Sequence, residues 1–214
     1  MPMHRRFQFS LKTLLVATMA ICLFCGYQVN RARRQREAVA KIEKSGGLAL
    51  YGYEWDQDQD RSKSAPLLEP GPAWLRNLLG IDYLDSVVAI EAQECEMTDS
   101  DFVWLLDRLP NVSYLELRMN PIGDASMPKV GTMRNLTTLR LARTDITDSG
   151  LRDIGRNKSL RSLDLCGDRV TDTGLLALSG LTELRSLYIE MTDVTDSGVS
   201  ELKKVLPRVK KRRY

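Results

Sequence analysis

The sequence has 214 residues, 43% of them hydrophobic and 28% charged, a globular composition that excludes a disordered polymer, a collagen and a multi-span membrane protein. Its formal charge of +3 sets 31 Lys and Arg against 28 Asp and Glu, and its single histidine, His4, lies at the extreme N-terminus, which excludes histidine-based catalysis from any folded body further on. Four cysteines are too few for a disulfide scaffold, and their number does not reveal the redox compartment.

Residues 1–12 form a basic segment with Arg5, Arg6 and Lys12. From Thr13 to Val29 no residue is charged, and Arg31, Arg33, Arg34 and Arg36 follow at once. As a helix this run reaches roughly 25 Å, the short end of what spans a bilayer core. Its apolar residues favour insertion by only about 2 to 4 kcal/mol in total. We read residues 13–30 as an uncleaved transmembrane signal anchor, in preference to a cleaved signal, which should end in a small-residue site rather than Cys25-Gly26-Tyr27, or to a buried core helix. Cys22 and Cys25 have thioredoxin spacing without a βαβ context and read as apolar filler. Both flanks are basic, so the positive-inside rule does not choose an orientation.

Residues 31–66 are expected to form a juxtamembrane helix through Lys44, ended by Gly46 and Gly47, then a short strand from Leu48 to Tyr53 and a mobile loop from Gln57 to Ala65. Asp56, Asp58 and Asp60 resemble the start of an EF-hand loop, but Arg61 stands at the glycine position and Leu67 at the bidentate glutamate position, so calcium is not expected. Residues 67–84 are expected to hold an N-terminal cap helix, with Trp74, Leu75, Leu78 and Leu79 covering the end of the core.

A period of 24 residues fills the second half. NLTTLRLARTDITDSGL (135–151) recurs as SLRSLDLCGDRVTDTGL (159–175), and a third copy begins at Glu183. The leading apolar residues Val112, Leu136, Leu160 and Leu184 are 24 apart, and Val87 opens a degenerate copy 25 residues earlier. In each copy alternating apolar residues such as Leu163 and Leu165 occupy one face of a short strand, with Ser162, Asp164 and Cys166 on the face expected to meet solvent. One copy cannot bury such a row, so copies must stack into a parallel sheet. After each strand Thr98-Asp99, Thr147-Asp148, Thr171-Asp172 and Thr195-Asp196 read as helix starts, the threonine capping and the aspartate in the positive field of the first turn. Because each aspartate lies beside its own helix start, a repeated calcium site is not expected.

Five copies of L-x-x-L-x-L-x-x-N/C/T-x-L over residues 85–208 resemble the leucine-rich repeat family, and the I-T-D-x-G-L wording resembles its cysteine-containing subtype. No F-box is visible, which removes the ligase-adaptor inference. The resemblance implies an α/β solenoid with short parallel strands on a concave side and helices on a convex side, here behind an N-terminal transmembrane helix. It also implies a structural ladder of Cys95, Asn120, Thr144, Asp168 and Thr192, with Cys95 buried and not disulfide-bonded to Cys166. A sixth strand begins at Leu206 and is expected to stop because Arg212 falls at a core position, leaving residues 209–214 as a basic tail that discourages edge pairing. The whole layout is similar to bacterial single-pass membrane-anchored leucine-rich repeat proteins.

In such a solenoid Glu91, Glu116, Arg140, Asp164 and Tyr188 form one concave column, and Gln93, Arg118, Ala142, Cys166 and Glu190 the next. Glu91, Glu116, Arg118, Arg140, Asp164, Tyr188 and Glu190 are therefore the candidate protein-binding residues, and the same charges could instead be simple cross-strand ion pairs. No nucleophile with a base, paired acids or phosphate loop stands out, so no catalytic residue, cofactor, metal or small-molecule substrate is expected. The expected role is a membrane-anchored interaction module for an as yet unidentified protein. The alternatives are an envelope structural protein, or contact of the tail with anionic lipid or nucleic acid; the latter is disfavoured because Tyr214 is the tail's one aromatic residue. The near-neutral total is a cancellation: residues 1–44 carry nine basic against two acidic residues, 45–202 carry 15 against 26, and 203–214 carry seven against none.

Overall fold

The structure, a computed structural model, describes residues 11–56, 61–62 and 69–211. Helix α1 (Leu11–Lys44) runs unbroken from the apolar segment into the basic one. Among the described residues it is the one helix long and apolar enough to cross a membrane by length and composition, and none of its apolar window is buried. That removes the buried-core-helix alternative. Its C-terminal half behaves differently: Gln35, Ala38 and Ile42, spaced along one helical face, are buried against the body.

The chain then turns through Gly46, whose positive φ of 88° suits glycine, into β1 (Leu48–Tyr51). β2 (Trp55–Asp56) and β3 (Arg61–Ser62) form a small antiparallel hairpin, followed by α2 (Ala73–Leu79), α3 (Ile81–Leu84) and β4 (Val87–Glu91). The expected mobile loop lies outside the described residues apart from Arg61 and Ser62, as do Asp58, Asp60 and Leu67 of the EF-hand-like stretch.

β1 pairs antiparallel with β4 and so covers the first edge of the repeat sheet. This corrects the expected cap. No residue of α2 is buried, Trp74 and Leu78 are 66% and 72% exposed, and none of Trp74, Leu75, Leu78 and Leu79 belongs to the core. Ala38, Ile42 and Ala49 do belong to it. A polar lock holds this cap in place: Gln35 Nε2 donates to the Asp85 carbonyl (2.9 Å), Gln35 Oε1 accepts from Val87 N (3.3 Å), and buried Asp82 accepts from Tyr51 Oη (2.7 Å) and Arg36 Nε (3.1 Å). α1 therefore serves as the end cap because its apolar stripe continues past the uncharged run, a period masked in the sequence by the arginines around it.

The repeats follow as α4 (Asp99–Leu106), β5 (Tyr114–Glu116), α5 (Met127–Val130), β6 (Thr138–Arg140), α6 (Asp148–Ile154), β7 (Ser162–Asp164), α7 (Asp172–Ala177), β8 (Ser186–Tyr188), α8 (Asp196–Val205) and β9 (Lys210–Lys211). β4 to β9 are parallel in the order of the chain. Ile90, Leu115, Leu139, Leu163 and Leu187 align across the strands and share one core with Phe102, Met127, Leu151, Leu175 and Val199 of the helices. The sixth strand does form, but its register pairs Lys211 with Leu187, so Lys211 rather than Arg212 ends the apolar row. Its ammonium reaches Asp196 at 3.4 Å instead of entering the core. Arg212 lies outside the described residues.

The T-D-x-G element has a second function beyond helix starting. Thr98, Thr147, Thr171 and Thr195 cap their helices as expected, each side chain accepting a first-turn N–H. Each aspartate also reaches forward into the next repeat. Asp148 accepts from Thr171 N (2.8 Å) and Thr171 Oγ1 (2.7 Å), Asp172 from the same two atoms of Thr195 at the same distances, and Asp124 from Thr147 N (2.9 Å) and Oγ1 (2.6 Å). Asp99 begins the series on Gly123 N at 3.1 Å. The glycine is explained by the same contact, since a Cβ at Gly150, Gly174 or Gly198 would overlap the carboxylate of Asp124, Asp148 or Asp172. Gly174→Ala should therefore lower stability by about 1 to 3 kcal/mol, although alanine is the better helix former by about 1 kcal/mol, and urea denaturation of the two proteins would show the sign.

Candidate functional site

The sheet face opposite the helices carries three columns, because side chains two residues apart share a face and neighbouring strands are in register. The first column is Ala89, Tyr114, Thr138, Ser162 and Ser186. The second is Glu91, Glu116, Arg140, Asp164 and Tyr188. The third, two residues further on, is Gln93, Arg118, Ala142, Cys166 and Glu190.

The expectation of a solvent-facing surface holds only in part. Glu116, Asp164, Ala142 and Cys166 are buried, as are Tyr114 and Thr138, while Glu91, Arg118, Arg140, Tyr188 and Glu190 are half-buried. Two features produce this. Strands about 4.8 Å apart let long side chains close over short neighbours. The β2–β3 hairpin also folds onto the N-terminal part of the face, where Trp55 is buried with its ring 4.5 Å from that of Tyr114 and shares a small apolar cluster with Leu50 and Ala89.

Buried Glu116 accepts from Arg118 Nε at 2.7 Å and lies 3.4 Å from Arg140 Nη1, so two arginines from its own and the next strand neutralise it. Asp164 accepts from Cys166 N at 3.1 Å. Burial and the Glu116 charge beside it raise the Glu91 carboxyl above its usual range. Burial, with Asp164 adjacent, pushes the Cys166 thiol up to about 12 and leaves it a weak nucleophile. Of the seven candidate residues, Glu116 and Asp164 thus hold the face together from within.

The structural ladder stands at the turn after each strand. Asn120 Oδ1 accepts from Cys95 N (3.1 Å) and Met97 N (2.9 Å), and its Nδ2 donates to the carbonyls of Ala92, Leu117 and Arg118 at 2.6 to 3.2 Å. Asp168 Oδ1 accepts from Thr144 N (2.7 Å) and Oγ1 (3.1 Å), and Thr192 Oγ1 donates to the Ile189 carbonyl. Cys95 is half-buried rather than buried: its Sγ turns to the Gln93 carbonyl at 3.3 Å, and its backbone N–H is satisfied by Asn120 Oδ1. No bond joins Cys95 to Cys166.

One row escaped the sequence reading. The residue just before each ladder position adopts the left-handed conformation: Glu94, Met119, Arg143, Gly167 and Met191, with φ between 56° and 78°. Only one of the five is the glycine that this backbone favours, and that glycine was the signal in the sequence. Met119, Arg143 and Met191 are exposed, Met191 at 71%, and they rim a depression of about 270 Å³ floored by Ala142 and Cys166. Among the described residues no three His, Cys, Asp or Glu side chains gather to hold a metal ion.

A helix-backed parallel sheet with one strand, one ladder residue and one staple per 24 residues defines a repeat solenoid. Residues 132–155 and 156–179 each match the leucine-rich repeat family model, so these two copies are leucine-rich repeats. No curated protein sequence matches it. Among solved structures it is similar to an internalin of Listeria monocytogenes (23% identity, TM-score 0.42, covering 51% of this chain and 30% of that one). It is also similar to a leucine-rich repeat protein of Leptospira interrogans (20%, 0.42, 52% and 27%) and to the actin-binding site 2 of leiomodin-1 (16%, 0.37, 57% and 65%). The chain thus spans under a third of the length of the first two.

Proposed function

We propose that this chain is a membrane-anchored, non-catalytic module that captures another protein on the rim of its open sheet face. The observation that carries the reading is the row Met119, Arg143 and Met191. Three exposed side chains, two of them apolar and adaptable, are held at the sheet edge by a backbone conformation that costs a non-glycine residue about 1 to 2 kcal/mol. Glycine would remove that cost, so side chains at these positions point to a use. The partially covered N-terminal part of the face directs the contact toward the uncovered columns, where Arg118, Tyr188 and Glu190 supply a half-buried polar surround. Anchoring rests on the apolar, unburied N-terminal half of α1.

The test is site-specific photo-crosslinking of the full chain in native membranes. A crosslinker at Met119 should yield a discrete protein adduct that is lost in Met191→Glu. The same probe at Leu176, exposed on the helical side, should yield none. Identical adducts from both positions, or none from Met119, would count against the rim as the binding surface.

A further inference from the structure

Among the described residues, the most exposed large apolar side chains outside the apolar half of α1 and the rim lie on α2. Trp74 and Leu78 are one helical turn apart and so share a face, and they are 66% and 72% exposed, matching the 56–69% of the large apolar residues from Leu14 to Val29 that form the anchor. Leu75 and Leu79, on the other side of α2, are half-buried. The end cap is built without α2, so the fold itself gives Trp74 and Leu78 nothing to cover.

Their position supplies a partner. Leu78 and Leu79 face Val29, Ala32, Arg33 and Arg36 across one groove, so α2 stands beside the first turns of α1 that follow the apolar run. That run is short: 18 uncharged residues, 13–30, reach about 27 Å against a hydrocarbon core of about 30 Å. A short span draws its flanks toward the bilayer. The flank here carries Arg31, Arg33, Arg34 and Arg36; Glu37 pairs with Arg33 and Asp82 with Arg36, so Arg31 and Arg34 supply the net positive charge that anionic headgroups attract. A tryptophan and a leucine on one face beside such a cluster match the immersion of an interfacial helix by about 5 to 10 Å and the tryptophan preference for the headgroup level.

We infer that α2 is a second membrane contact, which lays Trp74 and Leu78 into the headgroup layer of an anionic bilayer beside α1 and so fixes the angle at which the solenoid stands on the membrane. The inference rests on the anchoring reading above. Two contacts are needed for this: α1 alone sets the distance of the repeats from the bilayer and leaves rotation about its axis open, whereas α2 beside it closes that rotation.

The test uses the full chain in vesicles whose acyl chains are plain or brominated, with tryptophan emission as the readout. Trp55 is buried, and Trp104 is packed under Lys41 and Arg108, so the emission lost in Trp74→Phe belongs to Trp74. In vesicles containing phosphatidylglycerol that component should fall severalfold on bromination, and Leu78→Glu should restore it. Alkaline carbonate extraction reports the anchor separately. A chain that resists carbonate while its Trp74 emission ignores bromination overturns the α2 contact and leaves the anchor standing. A chain that carbonate releases overturns both. Equal quenching in phosphatidylcholine alone overturns the assignment of an anionic surface.

Discussion

Ile42→Asp should leave the full chain unable to fold, whereas Leu78→Asp should leave its stability unchanged. Ile42 has no exposed surface and lies in the same core as the repeat leucines, while Leu78 is exposed and lies outside it. A carboxylate at residue 42 would sit within this core, fully removed from water. Leaving a charge buried and uncompensated costs about 3 to 5 kcal/mol, a large share of the roughly 5 to 15 kcal/mol that holds a domain together. The milder Ile42→Ala should cost about 2 to 5 kcal/mol, and an exposed substitution such as Leu78→Ala less than about 0.5 kcal/mol. Urea titration in detergent, followed by circular dichroism, measures all four variants. A fragment starting at residue 67 loses α1 and β1 together, leaves β4 as a bare edge, and should behave as Ile42→Asp does. Equal effects at residues 42 and 78 would mean that α1 does not cap the solenoid.

Asp168→Asn should stabilise the protein at pH 8 and do little at pH 4. Asp168 is 2% exposed; Oδ1 is satisfied by Thr144, but Oδ2 has no hydrogen-bond partner. At the equivalent place in another repeat, the Nδ2 of Asn120 donates to three carbonyls. Burial raises the Asp168 carboxyl from 3.8 to about 7, the two Thr144 bonds opposing the shift. Because the folded-state value is raised, the folded chain holds a proton that the unfolded chain has already released between about pH 4 and pH 7. Stability from this group is thus full below about pH 4 and is lost as pH rises toward and through 7. At about 1.4 kcal/mol per unit, the loss is on the order of 4 kcal/mol. Asparagine carries its own donor and should remove the slope. Asp101, held down to about 2 chiefly by Lys41 and Thr98, acts in the opposite sense at lower pH, so the informative quantity is wild type minus Asp168→Asn at each pH. A difference independent of pH would show that Asp168 does not titrate in this window.

How much was legible in the sequence follows from the range of each interaction. The repeat period, strand faces, threonine caps and ladder positions depend on residues close in sequence and recur in copy after copy, so the pattern displays them. The register of β5 to β8 and the membership of both columns followed from the same period. The cap did not, because Ile42 and Val87 become neighbours only through α1 folding back across the chain, and the local amphipathic stretch at Trp74 to Leu79 looked equally suited. Nor did the burial of Glu116 and Asp164, since alternation assigns a side chain to a face and is silent about what closes over that face. The Asp–Thr staples were visible only as an unexplained glycine in three of the four T-D copies, and the rim only as Gly167.

The staples also give the array a direction. Each carboxylate points toward the repeat that follows, and the last, Asp196, is almost fully exposed with Lys211 beside it. Removing the final repeat would leave another aspartate in water at little cost to that charge, but it would also uncover apolar core residues that the Lys211 strand now closes off. Removing the first would strip α1 and β1 from an open strand edge and an apolar core. A whole repeat is therefore more easily gained or lost in the interior of the array than at either end, so length variation among descendants of this chain should accumulate between the N-terminal cap and the Lys211 strand.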